Sequence, residues 1–314
     1  MERRIILGTR GSDLALIQTR TVEAALRARW PEIEIETEII RTSGDEAKDP
    51  GGASDVRVVG AAGRKGLFTA EIERSLIAGT IDVAVHSAKD LPSSLGSRTE
   101  IAAVLSRAAV NDILVSVTES DLRSLPRDST VATGSVRRQH QLRWKRPDLR
   151  IVDLRGNVPT RLRKLTTQGW HGIVLARAGL ERLSIQPNDQ PIEFEGNHLF
   201  LTVLPHDVFV PAGGQGVIAL QIRADDDVAR NLVMPINDHD TRICLRAERE
   251  FLRLLEADCN QPVGVYAMVE GDRMRARAQI FKPDSIAPLE AQVEGNCEEA
   301  EQLAAELLTR IDGG

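Results

Sequence analysis

The chain has 314 residues, of which 42% are hydrophobic and 27% are charged, and its formal charge at neutral pH is −6. This length and composition exclude a disordered or fibrous chain and predict two or three globular domains. The acidic balance argues against a general nucleic-acid-binding protein. The three cysteines show no paired spacing and the six histidines are scattered, which argues against a disulfide framework and against a metal site.

No stretch of the sequence approaches the roughly 20 apolar residues that a membrane span needs. The apolar run at residues 5–7 is also far shorter than the core of a secretory signal. We therefore expect a cytoplasmic protein that acts without a membrane.

Short apolar runs alternate with helical periodicity along most of the chain, which predicts α/β domains with parallel sheets. The predicted strands lie at residues 5–7, 33–40, 81–87, 112–116, 129–135, 149–154, 172–176 and 217–223. Helices are predicted after Ser12, around residues 70–78, after Ser135 and after residue 154. The glycine-rich residues 43–66 predict a mobile loop. The last third predicts a long amphipathic helix at 241–256, three strand-like segments and a closing helix at 298–311.

Positive charge is concentrated between residues 137 and 164. This window carries ten cations and two aspartates, a net charge of +8, although the whole chain is acidic. Such a patch indicates a specific polyanionic ligand. About half of these side chains are expected only to solvate helix faces.

Three loop-to-helix junctions, at residues 8–12, 132–138 and 154–162, combine free backbone N–H groups with arginines, as an anion site requires. At the first junction, Ser12 could instead act only as a helix cap. At the second, Arg137 and Arg138 open a helix, where cations oppose the helix dipole unless an anion binds them. The junctions supply the candidate residues Arg10, Ser12, Thr133, Ser135, Arg137, Arg138, Arg155 and Arg161.

The segment VHSAKDLP at residues 85–92 ends a predicted strand in Lys89 and Asp90. Adjacent opposite charges at this place often only cap a turn. As a catalytic group, Asp90 would stabilise a cation. At 4 Å and an effective dielectric constant near 20 the attraction is about 4 kcal/mol, which corresponds to roughly a thousandfold in rate.

Cys259 lies in a loop, EADCNQP at residues 256–262, whereas Cys244 and Cys297 lie within or beside helices. Most lone cysteines are structural. The neighbouring Asp258 would raise the pKa of the Cys259 thiol, so this residue is not an ordinary low-pKa nucleophile.

Taken together, these segments resemble the porphobilinogen deaminase (hydroxymethylbilane synthase) family. The matching pieces occur in family order and cover most of the chain. They are residues 9–18 (TRGSDLALIQ), 63–73 (GRKGLFTAEIE), 82–92 (DVAVHSAKDLP), 132–139 (ATGSVRRQ), 154–162 (LRGNVPTRL), 175–183 (LARAGLERL), 213–216 (GGQG), 246–252 (RAEREFL) and 258–262 (DCNQP).

The resemblance implies a three-domain α/β enzyme. Two domains, at residues 1–106 with 216–236 and at residues 107–215, would be similar to type II periplasmic binding proteins and enclose a cleft. A small α+β C-terminal domain, at residues 237–314, would carry the cofactor cysteine. The family resemblance also suggests a monomer.

By the same resemblance, Cys259 would hold a dipyrromethane cofactor through a thioether. Four porphobilinogen molecules would be added stepwise with loss of ammonia, and water would release hydroxymethylbilane. Asp90 matches the family carboxylate that steadies the cationic azafulvene formed on deamination. The residues that match family binding positions are Arg10, Ser12, Gln18, Lys65, Phe68, Lys89, Thr133, Ser135, Arg137, Arg138, Arg155, Arg161 and Arg182.

The sequence departs from the family pattern immediately before the cysteine, where Ala257 and Asp258 replace two glycines. Gly134 stands where serine is common, and Gln221 replaces a common acid. These changes keep open a second hypothesis, a non-catalytic binder of an anionic small molecule. Nucleic-acid binding through residues 137–164 is a third hypothesis, against which the acidic charge and the 3% aromatic content argue.

Overall fold

The structure is a computed structural model that describes residues 4–40, 64–187, 190–256, 261–283 and 285–313. The first part of the chain forms β1 (Arg4–Thr9), α1 (Asp13–Arg29), β2 (Glu34–Ile39), α2 (Arg64–Ile77), β3 (Val83–Ser87) and β4 (Thr99–Val104). A 3₁₀ turn, Ala88–Asp90, follows β3 directly. With the later strand β11 (Ile218–Arg223), these strands form a sheet in the order β2-β1-β3-β11-β4. This sheet is called the first sheet.

The second sheet has the order β7-β6-β8-β5-β10-β9. Its strands are β5 (Asp112–Ser116), β6 (Thr130–Ala132), β7 (Arg150–Val152), β8 (Gly172–Ala176), β9 (Ile192–Phe194) and β10 (Asn197–Leu204). Helices α3 (Val136–Lys145), α4 (Val158–Thr167) and α5 (Arg177–Arg182) follow the parallel strands β6, β7 and β8.

A third sheet, β12 (Val263–Glu270), β13 (Arg273–Ile280) and β14 (Leu289–Asn296), is antiparallel throughout. It packs against α7 (His239–Leu254) and α8 (Ala300–Asp312), and Phe251, Met274 and Leu307 are fully buried between them. Helix α6 (Asp227–Val233) packs on the first sheet. Buried clusters lie on both faces of the first and second sheets, as expected for α/β units.

The predicted fold class, α/β with a small α+β unit near the C-terminal end, is confirmed. The first and second sheets share one strand order. Three parallel strands, β2-β1-β3 or β7-β6-β8, are followed by an antiparallel strand, β11 or β5, and then by β4 or β10. This repetition agrees with the two similar halves that the resemblance implied. The exact domain boundaries stay a prediction.

Most predicted elements are present, but β4, β9, β10, α5 and α6 were not predicted from the sequence. The alternating pattern of residues 33–40 predicts a strand with one solvated face, and Glu34, Glu36 and Glu38 are exposed; the other face is buried at Ile33 and partly buried at Ile35, but not at its far end. Their strand, β2, lies at the sheet edge, and Ile39 is 50% exposed. The predicted loop 43–66 lies mostly outside the described residues. Its end was misassigned, since residues 64–66 already belong to α2.

The antiparallel strands β11 and β5, each fourth in its sheet, follow connections that cross from the other half of the chain. The chain passes from β4 to β5 through residues 105–111, and returns from β10 to β11 through residues 205–217. These two connections are hydrogen-bonded to each other: the Ala108 amide donates to the Gly216 carbonyl at 3.2 Å, and the Gln215 side chain donates to the Val110 carbonyl at 2.6 Å. The two halves are therefore joined along paired backbone segments.

A buried ion pair ties this joint to the C-terminal unit. The Arg107 guanidinium donates to both carboxylate oxygens of Glu248 on α7, at 2.6 and 3.1 Å. Glu248 also accepts from the backbone N–H groups of Gly214 and Ala267, at 2.7 and 2.8 Å. The Glu248 carboxylate thus accepts four directed hydrogen bonds, and a buried charge is tolerated when it is paired and hydrogen-bonded in this way.

Gly216 is required by both its conformation and its surroundings. Its φ is +89°, and a Cβ atom built on it would lie 2.4 Å from the Ala108 carbonyl oxygen. Gly169 also has a positive φ, +65°, but no atom lies within 4 Å of a Cβ there.

We predict that Gly216→Ala destabilises the fold much more than Gly169→Ala. The control should lose about 1–2 kcal/mol from the left-handed backbone alone. Gly216→Ala should lose at least about 3 kcal/mol, because it also forces the two connections apart. Urea unfolding followed by circular dichroism measures both. Equal losses would contradict the tight pairing of the connections.

Candidate active site

The candidate residues lie at the carboxyl ends of the parallel strands, where α/β folds place their ligands. Ser12 follows β1, the turn Ala88–Asp90 follows β3, and Ser135 follows β6. Arg155 follows β7, and helix α5 follows β8. The local sequence explains where α1 begins, since the Ser12 hydroxyl caps this helix by accepting a 3.4 Å hydrogen bond from the Ala15 amide.

Asp90 and Lys89 share the turn after β3, and both are partly buried. Burial lowers the pKa of Lys89 to about 8; the charge of Asp90 acts in the opposite direction, and that of Arg138 adds to the lowering. Within the described part of the chain, neither side chain forms a hydrogen bond or an ion pair. The turn therefore presents a carboxylate and a desolvated amine side by side.

Arg161 lies within the electrostatic reach of this turn. Burial lowers its pKa to about 10, the positive charge of Arg138 adds to the lowering, and Asp90 opposes it. Its Nε donates to the Gly156 carbonyl at 2.7 Å. Arg155, by contrast, is exposed and pairs with Asp153 at 2.7 Å. The charges of Lys89, Asp90, Arg138 and Arg161 thus influence one another across the two halves.

Arg137 and Arg138 are the most deeply buried of the candidate arginines, at 4% and 6% exposure. Both bind Asp112 at the start of β5: Arg137 reaches one carboxylate oxygen at 2.9 Å, and Arg138 the other at 2.7 Å. Gln215 donates to the same carboxylate at 2.9 Å. The argument that these two cations need an external anion is therefore wrong, because Asp112 supplies it.

The Nε atoms of Arg137 and Arg138 are nevertheless buried without a hydrogen-bond partner. Burial is also the main cause that lowers the pKa of Arg137, although Asp112 opposes it. Each of the two arginines thus keeps one unused buried donor.

The remaining candidates are held by short contacts. The Gln18 side chain on α1 donates to Ser87 Oγ at 2.8 Å and so ties the first helix to the end of β3. The Ser135 amide donates to Thr133 Oγ1 at 3.3 Å, which shapes the loop before α3. Arg182 donates to the Gly216 carbonyl at 2.7 Å, and burial lowers its pKa. Arg10 lies just before Ser12 and is partly buried.

Three predicted site residues, Cys259, Lys65 and Phe68, are described only in part or not at all. Cys259 falls outside the described residues, as do Ala257 and Asp258 before it. Lys65 and Phe68 lie on the first turns of α2, and only their backbone is described.

Sequence reasoning missed the two side chains that organise this site, Asp112 and Gln215. Both are essentially inaccessible, with 0% and 1% exposure. Asp112 did carry a signal, because a carboxylate that opens the apolar strand DILVS must find a buried partner. Gln215 lies within GGQG, which contributed to the family resemblance but indicated no role for this side chain.

The donor set fits a group that carries several carboxylates. Lys89 and Arg161 are desolvated cations without a carboxylate partner among the described residues, and the two arginine Nε atoms are unpaired. Uncompensated buried cations are costly, and anionic groups offset that cost. Carboxylated pyrroles have this chemistry.

Comparison with known proteins identifies the chain. A family model described as "Porphobilinogen deaminase, dipyromethane cofactor binding domain" matches residues 5–231, and one for the C-terminal domain matches residues 242–312. The chain belongs to the porphobilinogen deaminase family. The matched ranges include the whole cluster around Asp90.

Individual relatives agree with this assignment. The porphobilinogen deaminase of Roseiflexus sp. (strain RS-1) is 45% identical over 284 residues, which cover 90% of this chain and 88% of the relative. That of Syntrophus aciditrophicus (strain SB) is 40% identical over 309 residues, or 98% of this chain and 95% of the relative.

Solved structures show a weaker likeness. The methionine-binding protein MetQ is 12% identical with a TM-score of 0.44, over 74% of this chain and 89% of that one. YhfZ from Shigella flexneri is 15% identical with a TM-score of 0.39, over 82% and 93%. Within the described ranges, every helix is too short or too polar to cross a lipid bilayer.

We predict that Asp112→Asn lowers the free energy of unfolding by about 3–5 kcal/mol, because it leaves two buried guanidinium groups without their counter-charge. Asp153→Asn is the matched control. It breaks an exposed pair with another candidate arginine, Arg155, and should cost at most about 1 kcal/mol.

The difference in the free energy of unfolding between wild type and Asp112→Asn should also depend on pH. The two arginines hold the pKa of Asp112 well below its ordinary value of 3.8. The stabilisation is therefore complete above that value and is lost as the pH falls below it. Urea unfolding at neutral and acidic pH measures this. A loss as small as that of the control would show that Asp112 does not hold the arginines.

Proposed function

We propose that the chain is a hydroxymethylbilane synthase, a transferase of tetrapyrrole biosynthesis. It condenses four porphobilinogen molecules head to tail with loss of ammonia, and water then releases hydroxymethylbilane. The observation that carries this proposal is the match of residues 5–231 to the cofactor-binding domain of the family, which coincides with the cluster of desolvated cations around Asp90.

The cofactor of this reaction is dipyrromethane, attached to Cys259 by a thioether. When bound, it supplies the terminal pyrrole to which the first substrate is joined. Its acidic side chains match the unused donors of Lys89, Arg161 and the paired arginines of α3. Attack by the thiol on a strongly electrophilic pyrrole needs little thiolate, so the adjacent Asp258 is compatible with this attachment.

Asp90 is the residue to which we assign the chemical step. Loss of ammonia from porphobilinogen leaves a cation, and a carboxylate held close to it stabilises the transition state that leads there. The effect of Asp90 on the pKa values of His86, Lys89 and Arg161 supports this role, because its charge is already felt by groups on both sides of it. The lack of any hydrogen-bond partner for Asp90 among the described residues leaves its oxygens available to pyrrole N–H groups.

The cationic residues are assigned to the acetate and propionate groups of the growing chain. Each charge-assisted hydrogen bond contributes about 1.5–3 kcal/mol. Arg137 and Arg138 each place one guanidinium nitrogen on Asp112 and donate to other protein acceptors as well, so they contribute mainly by Nε and by their positive charge. The other binding assignments are Arg10, Ser12, Gln18, Lys65, Phe68, Lys89, Thr133, Ser135, Arg155, Arg161 and Arg182.

The same proposal includes the organisation of the chain. Residues 1–106 with 216–236 form the first domain, 107–215 the second and 237–314 the third. The membership of each strand in the three sheets supports these limits. The enzyme acts as a monomer in the cytoplasm and binds neither membrane nor nucleic acid.

The proposal is tested by the intact mass of the denatured protein, produced in a host that makes porphobilinogen. We expect an excess that corresponds to two linked pyrrole units, and its loss in Cys259→Ser. Cys297→Ser is the control, because Cys297 is buried beside α8, and it should retain the excess. A wild-type mass without the excess, even after incubation with porphobilinogen, would instead favour the non-catalytic binder.

We also predict that Asp90→Asn lowers kcat by about a thousandfold or more, because the amide keeps the shape and removes the charge. Thermal unfolding should change little, since Asp90 makes no hydrogen bond within the described structure. Single-turnover release of ammonia measures the chemical step. A variant with near-normal turnover would remove Asp90 from that role.

A further inference from the structure

A second concave site lies between the first sheet and helix α7. It is a cavity of about 350 Å³, which is within the size range of small-molecule sites. One wall is formed by β4 and the loop before it, and the other by α7. None of the candidate active-site residues lines this cavity.

The α7 wall carries a row of arginines. Arg242, Arg246, Arg249 and Arg253 recur at intervals of three and four residues, which places them on one face of the helix. The row is not uniform in its partners. Arg246 and Arg253 form exposed ion pairs with Glu301 and Glu250, while Arg242 donates to the Ala102 carbonyl at 2.5 Å.

Arg249 differs from the others in its row. Its Nη2 donates to the Ser93 carbonyl at 3.0 Å, and it has no ion pair with any carboxylate that the structure describes. Burial lowers its pKa to about 10, and no neighbouring acid offsets that effect. A guanidinium has five N–H donors, and one hydrogen bond to Ser93 leaves most of those of Arg249 available beside the cavity.

Part of the remaining lining is apolar. Leu95, Ile101, Val104 and Leu245 line the cavity together with the arginines. The rest consists of Ser93, Thr99 and three glutamates, Glu100, Glu250 and Glu301, which already form ion pairs with Arg230, Arg253 and Arg246, respectively. A desolvated cation next to an aliphatic surface is complementary to a molecule with a carboxylate at one end and a ring or hydrocarbon at the other. An inorganic anion would satisfy the cation but would leave the apolar wall uncovered.

We propose that this cavity is a binding site for a small organic carboxylate, whose acid group pairs with Arg249 and whose apolar part lies on Leu95, Ile101, Val104 and Leu245. Such a ligand would contact the first sheet and α7 at once and so link the C-terminal unit to the first half. The site is independent of the proposed chemistry at Asp90.

The test is a titration of the full-length holoenzyme with phthalate, followed by the δ1-methyl NMR signal of Ile101. This methyl group reports on the cavity even if phthalate also binds in the active site. We expect a saturable shift with a Kd on the order of 1 mM, at least about tenfold weaker in Arg249→Gln. Arg253→Gln, which removes an arginine already paired with Glu250, should bind within about threefold of wild type.

Leu95→Trp provides a second variant that leaves Arg249 in place and fills the cavity from the loop side, and it should abolish the shift. Inorganic phosphate is titrated in parallel and should bind more weakly than phthalate. The proposal is overturned if Ile101 shows no saturable shift, if Arg249→Gln or Leu95→Trp binds as well as wild type, or if phosphate binds as tightly as phthalate.

Discussion

One buried carboxylate, that of Asp112, fixes the geometry on which the candidate site depends. It stands at the start of β5, receives Arg137 and Arg138 from α3, and receives Gln215 from the returning connection. A charge at 0% exposure is tolerated only when its oxygens are fully used by directed donors, as they are here. Because those donors come from separate segments, the carboxylate sets the position of α3 relative to the joint between the halves.

The same network continues into the other units. From Arg137 it passes through Gln141 to Gln279 on β13, at 2.9 and 2.6 Å. In the other direction, the Gln215 carbonyl accepts from Arg107, which is bound to Glu248 on α7. A continuous polar path therefore joins the second sheet, the two connections, α7 and the third sheet through the interior. Buried networks of this kind specify one arrangement of their members, because every broken bond leaves a costly polar group.

Local chemistry explains which features could be predicted from the sequence. Ser12 and the Asn157–Pro159 segment start helices through their own neighbours, and the turn with Lys89 and Asp90 follows a strongly apolar strand. The partner of Arg137 lies 25 residues away, and nothing in the local pattern identifies it. The exposure of β2 likewise depends on its place at the edge of the sheet, which periodicity does not encode. Sequence therefore indicated which side chains gather at the strand ends, but not which of them neutralise each other.

The exchange of strands between the halves has a consequence for biosynthesis. β11 lies between β3 and β4, yet the ribosome makes it only after every strand of the second sheet. Until then β3 and β4 have an unfilled gap between them, with backbone donors and acceptors that invite incorrect partners. The antiparallel strand of the second sheet, β5, is synthesised before the other strands of that sheet, so the second sheet can be completed first during translation. The nascent chain would then form the second sheet, from the middle of the sequence, before the first sheet is completed by β11.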